Sequence, residues 1–199
     1  MDIEKHLLQS DIHSFLLNAY FGAIDDPFLT AANSAYLDLN RTIEFRSSKI
    51  LEERKASLRS ESVRLIVESI HSLRRQNINK QDSFDSWHNT TCLKLLDKYK
   101  EAGVPFHYGQ SQKWVNMTMK YLSVIDSSLT ESIFEFLHVP IDSIVYELAE
   151  EFFGLEWPKY RWSRMDKNQY LEYQVKLRGL IMSKSKQVPL LWEFRSWNR

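Results

Sequence analysis

Covalent cross-links and net charge are both missing from this chain. Cys92 is the one cysteine in 199 residues, so no intramolecular disulfide can form, which points to a reducing, cytoplasmic setting. Five glycines and five prolines, with few alternating β-branched runs, argue for an all-α architecture with few or no strands. The formal net charge is zero, which excludes a histone-like binder held to nucleic acid by bulk charge. No apolar run approaches bilayer-spanning length, and Met1-Asp-Ile-Glu-Lys-His6 is not a basic stretch leading into an apolar core, so neither a membrane span nor a secretion signal is expected. Without secretion, the sequons at Asn40, Asn89 and Asn116 are chance matches. Gly-rich phosphate or dinucleotide loops and a His-Glu-x-x-His pair are also lacking, so nucleoside triphosphates, NAD, a cofactor and a metal are not implied. His88 and Cys92 are four residues apart but have no second pair to complete a metal site.

What is present suits one helical domain over residues 1–199, since 43% hydrophobic and 13% aromatic residues can fill a core at this length. Ile3, Leu7, Leu8, Ile12, Phe15, Leu16 and Tyr20 recur at helical spacing and predict a first helix closed near Gly22; Pro27 begins a second. The charged stretch from Ser48 to Leu73 reads as one long helix or two broken near Ser60, and polar Gln76–Ser83 as a loop. A helix capped near Ser83 should stop at Gly103, ahead of a short hairpin, Val104–Gly109, and a further helix to Leu122. Helices are also expected at about 128–137, 142–153, 167–182 and 189–197, the penultimate one capped by Asp166.

Charge is segregated along the chain. Between Ile125 and Pro158 there are carboxylates and no Lys or Arg, whereas Lys159, Arg161, Arg164, Lys167, Lys176, Arg178, Lys184, Lys186, Arg195 and Arg199 face only Asp166, Glu172 and Glu193. A basic C-terminal third can supply phosphate contacts within a neutral protein, or form ordinary solvated faces.

Lys113 and Asp142 carry the chemical signal. A lysine amine freed of its proton by partial burial can attack C1′ of a nucleotide while a carboxylate stabilises the oxocarbenium-like sugar and assists proton transfer. Trp114, Val115 and Met117 flank Lys113, and Asp142 opens a helix whose amides keep it ionised. A hairpin leading into a helix N-terminus presents backbone amides to phosphate, here those of Gly109, Gln110 and Ser111. His107 and His138 flank the two segments and suit DNA contact, proton transfer or packing.

These residues resemble the 8-oxoguanine DNA glycosylases of the helix-hairpin-helix superfamily, most nearly the archaeal AGOG type. The resemblance spans residues from about 87 to 197. It implies that Lys113 is a Schiff-base nucleophile, that Asp142 in Val139-Pro-Ile-Asp142 is its partner, and that Lys120 lies near the base pocket. It implies further that Glu193 accepts hydrogen bonds from a purine edge while Trp197, four residues on, stacks on an extruded base. Met117, one turn after Lys113, is placed as the opposite face of that stack. The expected protein is thus a monomeric DNA glycosylase, with or without β-lyase activity, acting on 8-oxoguanine in repair or on a modified phage base in antiviral defence. The other reading is a catalytically inactive helical DNA-binding or protein-interaction module.

Overall fold

The helix that carries Lys113 is enclosed by the rest of the chain. In the computed structural model, which describes residues 7–48 and 50–197, the α-helices are α1 Gln9–Phe21, α2 Pro27–Leu37, α3 Glu52–Arg74, α4 Gln81–Glu101, α5 Tyr108–Ile125, α6 Ser143–Phe153, α7 Lys167–Leu180 and α8 Pro189–Ser196. No strand occurs among the described residues. One cluster of buried apolar side chains runs from Phe28 in α2 to Trp192 in α8, so the all-α fold has a common core. Ile3 and Arg199, which belong to the sequence expectations above, lie outside the described residues.

Most helices begin and end where local chemistry directs. Asp26 accepts hydrogen bonds from the amides of Phe28 and Leu29 and places Pro27 at the first position of α2. Ala31, Ala32 and Ala35 on α2 are fully buried, and their small side chains let α2 approach α5 closely enough for the Trp114 indole to donate to the Ala32 carbonyl at 2.9 Å. The charged stretch forms a single helix, α3, with Ser60 inside it, because the buried row Leu58, Val63, Ile66, Val67, Ile70 and Leu73 continues across that point. α4 starts at Gln81, earlier than a cap at Ser83 would place it. Gly103, at φ 67°, ends it in the left-handed region. The predicted helix at 128–137 is instead two 3₁₀ segments, Ser127–Leu129 and Glu131–Phe136.

α1 departs from expectation in burial. It closes at Gly22 as the spacing predicted, yet none of its residues is buried and Phe15, Leu16 and Tyr20 are exposed. It is tethered to the body at its end, where the Tyr20 hydroxyl lies 2.8 Å from that of Tyr121 on α5 and the Phe21 ring packs edge-on against Tyr121 at 5.3 Å.

α5 looks amphipathic in sequence, but every residue from Tyr108 to Leu122 is buried. Buried polar side chains need partners, and here most of them tie α5 to a neighbour, although Thr118 Oγ1 donates within the helix to the Trp114 carbonyl at 2.8 Å. Ser111 Oγ donates to the Cys92 carbonyl of α4 at 2.9 Å, and Gln110 Nε2 donates to the Thr42 carbonyl at 2.7 Å.

Candidate active site

Asp142 is the N-cap of α6, its Oδ1 accepting from the Val145 amide at 2.9 Å. Its other oxygen, Oδ2, accepts from Lys113 Nζ at 2.5 Å, with both side chains largely buried. One carboxylate therefore starts a helix and holds the amine. Its place is fixed by side chains acting as strand partners. Gln112 Nε2 donates to the Ile141 carbonyl at 2.8 Å and Gln112 Oε1 accepts from the Ile141 amide at 3.2 Å. Gln174 brackets Val139 likewise, donating to its carbonyl at 3.3 Å and accepting from its amide at 3.0 Å. The backbone entering Asp142 is thus held from two sides.

Seven residues along α5, Lys120 Nζ donates to Glu193 Oε1 at 2.6 Å. The same ammonium lies 4.9 Å from the Trp197 ring centroid and 5.0 Å from that of Phe194, so α8 receives it through both an ion pair and aromatic faces. Glu193 is buried and its Oε2 has no hydrogen-bond partner.

Lys113, Asp142, Lys120, Met117 and Trp197 converge on one cavity of about 430 Å³, with Glu193 behind Lys120. Leu37, Asp38, Arg41, Tyr20, Tyr121 and Ile144 complete its wall. Sequence reasoning missed Asp38 and Tyr121. Tyr121 lies eight residues after Lys113, on the same face as Met117, and helical periodicity alone would have found it. Asp38 carried no such signal, since it reaches the cavity from the far end of α2. Its Oδ2 accepts from the Tyr121 hydroxyl at 2.8 Å. Burial raises the Asp38 carboxyl above its ordinary value, against the opposing pull of the Tyr121 hydrogen bond and of Lys113 and Lys120.

Gly109, Gln110 and Ser111 do not form the expected phosphate clamp. All three are buried; the Gly109 amide donates to the Met165 carbonyl at 3.0 Å, and those of Gln110 and Ser111 donate to the His107 carbonyl at 3.1 Å. For Gly109 the cause is the 3₁₀ turn Trp162–Arg164 and the Met165 that follows it, which cover the start of α5; for Gln110 and Ser111 it is the first turn of α5 itself, whose N-cap carbonyl takes both amides. A Cβ built on Gly109 would sit 1.8 Å from the Trp162 carbonyl oxygen and 3.2 Å from the Met165 amide. Those are backbone atoms, so Gly109→Ala must displace the whole turn, a small-to-large change of the kind that costs about 1–3 kcal/mol or more. The melting temperature should drop by roughly 5 °C or more, and an unchanged value would show that the turn yields freely.

The other residues singled out are structural. His107 Nε2 accepts from Arg164 at 2.6 Å, and Cys92 Sγ lies 3.7 Å from the buried His88 ring. Among the described residues no group of three His, Cys, Asp or Glu is placed to hold a metal ion. His138 is buried in a chain of hydrogen bonds. The Tyr170 hydroxyl donates to its Nδ1 at 2.7 Å, and Nε2–H donates to Asp85 at 2.6 Å. Asn116 Nδ2 donates to Tyr170 at 3.0 Å and to Gln112 at 3.0 Å, which connects this chain to the clamp on Ile141.

Burial lowers the titration of His138, outweighing the upward pull of Asp85, and lowers that of His88 much further. Both rings are therefore neutral in the folded protein. Below about pH 6.5 the unfolded chain binds protons that these rings refuse, so their contribution to stability is full above that pH and falls as pH drops toward the folded values. Thermal melts should lose about 5 °C between pH 7 and pH 5.5. A constant or rising melting temperature over that window would contradict the assignment.

A larger hollow of about 590 Å³ between α3 and α4 is lined by Glu68, Ser69, Ser72, Thr90 and Thr91 among others. Lys94 also lines it but forms no ion pair with Glu68 among the described residues, so the Lys113 cavity, with its buried pair, is the stronger candidate site. No family model matches the chain, and neither a curated protein nor a solved structure matches it. Among the described residues no helix is long and apolar enough to cross a membrane.

Proposed function

We propose that the protein is a DNA glycosylase that excises a damaged or modified base, 8-oxoguanine or a modified phage base, by attack of Lys113 on C1′. The observation that carries this reading is the Lys113–Asp142 pair at 2.5 Å, buried at the wall of a cavity that also presents the half-exposed indole of Trp197 and the side chain of Met117. On this reading an extruded base would stack between these two side chains. The resemblance to the helix-hairpin-helix glycosylases points the same way, with α4, residues 102–107 and α5 as the counterpart of that element.

In this reading the Lys113 ammonium gives a proton to Asp142 and its lone pair forms the N–C1′ bond. The glycosidic bond breaks, and its electrons leave with the base, which takes up a proton. Loss of the ring oxygen from C1′ then gives an iminium, and β-elimination expels the 3′ phosphate where the strand is cleaved. Lys120 lines the cavity beside Trp197 and would meet the base, and the buried Oε2 of Glu193, which has no partner, would accept from an N–H edge only once the base displaces Lys120. Borohydride reduction of the protein mixed with a duplex containing an abasic site should trap a covalent adduct on Lys113. No adduct there, together with no release of any base from oxidised host DNA or heavily modified phage DNA, would leave the inactive DNA-binding or protein-interaction module as the reading.

A further inference from the structure

The segment between α6 and α7 reads Trp157-Pro-Lys-Tyr-Arg-Trp162, with cations set between aromatic rings. Both ends of this stretch are anchored. Leu155 is buried and its amide donates to the Ala149 carbonyl at 3.2 Å, while Trp162–Arg164 lies on the start of α5. Between these anchors a cavity of about 390 Å³ is walled by Trp157, Tyr160, Trp162, Arg161, Tyr146 and Ser143. Trp157 is 44% exposed, with its ring centroid 5.7 Å from that of Tyr146. Tyr146 itself is only 2% exposed, and its hydroxyl has no hydrogen-bond partner. Lys159 and Arg161 are exposed and make no ion pair among the described residues; Arg164 is already taken by Glu44 and His107. Glu156 is the one carboxylate in the stretch.

This cavity meets the catalytic one at the start of α6. Asp142 and Ile144 face the Lys113 cavity, whereas Ser143 and Tyr146 face the aromatic one. A strand with one nucleotide at Lys113 would have a neighbouring nucleotide within reach of the second cavity. The exposed Trp157 ring with unpaired cations near it suits an unpaired base and its phosphate, because every base has a face that stacks and every linkage a negative charge.

We propose that the Trp157–Trp162 segment is a second nucleotide-binding site, which stacks an unpaired DNA base on Trp157 and holds its phosphate with Lys159 and Arg161. This rests on the glycosylase reading for the course of the strand, and it is tested separately from it. Fluorescence anisotropy with labelled oligo-dT of roughly 20 nucleotides, and with an abasic duplex of similar length, compares wild type, Trp157→Ala, Trp157→Phe and Lys159→Gln/Arg161→Gln. Trp157→Ala should weaken oligo-dT binding about ten-fold, as expected for loss of one stacked base, and Trp157→Phe should restore most of it. The double variant should flatten the slope of log affinity against log salt by about 1.4, as for two phosphates on a single strand. Unchanged binding by Trp157→Ala, with the Lys113 adduct still formed, overturns this site and leaves the glycosylase reading standing. Trp157-dependent binding without an adduct does the reverse, and binding to neither DNA overturns both.

Discussion

Lys113→Gln should abolish the borohydride-trapped adduct on abasic DNA, with a loss on the order of 10⁴-fold or more, as when an enzyme loses its nucleophile. A carboxamide has no lone pair basic enough to attack C1′, and among the described residues the one other amine lining the cavity is that of Lys120. Lys120 is committed to Glu193 at 2.6 Å and sits two turns along α5. The variant should remain folded. Removing one member of a buried ion pair costs about 3–5 kcal/mol when the other is left bare, but Asp142 keeps the Val145 amide at 2.9 Å and lies at a cavity wall. A glutamine amide can also donate to it. On the proposed glycosylase reading, Asp142→Asn should retain the amine and slow adduct formation about 10²–10³-fold, within the range for one acid–base group. Trapping that persists in Lys113→Gln would move the chemistry to another residue.

Asp85→Ala should be the most damaging substitution for stability among those considered. Asp85 accepts from His138 at 2.6 Å and from Arg178 at 3.1 Å, and these interactions hold its carboxyl well below the usual carboxylate range despite burial. Without it, a mostly buried guanidinium and a buried imidazole N–H lose their common acceptor. The cost is about 3 kcal/mol, the lower end for a broken buried pair because Asp85 is partly exposed, or roughly 10 °C in melting temperature for a chain of this size. The effect should reach the Lys113–Asp142 pair, since His138 connects through Tyr170 and Asn116 to Gln112 and so to Ile141 beside Asp142. A melting temperature within about 2 °C of wild type would show that water replaces the carboxylate without penalty.

The readable parts of the site share a physical character. Asp142 was legible because an N-cap is local chemistry, a carboxylate followed by an apolar helical run. Lys113, Met117 and Lys120 were legible as a stripe because 3.6-residue periodicity keeps them on one face of α5, and Glu193 and Trp197 share a face of α8 for the same reason. The phosphate clamp expected at Gly109–Ser111 is absent for two reasons: the Gln110 and Ser111 amides are spent in the first turn of α5 on the His107 carbonyl, and local sequence cannot show what will cover Gly109. Trp162–Arg164, more than 50 residues away, occupies the space where a phosphate was expected. Asp38 was illegible because nothing in its neighbourhood marks it; α2 delivers it to Lys113 through packing of three alanines against α5.

By itself the sequence determined the helical class, most helix ends and the spacing of side chains along each helix, since these follow from propensity, capping and periodicity over a few residues. Tertiary structure alone decided which faces became interior. It enclosed α5 from Tyr108 to Leu122, left most of the apolar face of α1 in solvent, engaged the Gly109 amide with Met165, and brought Asp38 to the wall of the Lys113 cavity. These outcomes depend on contacts between segments far apart in the chain. Burial is a property of the assembled surface and not of any one stretch.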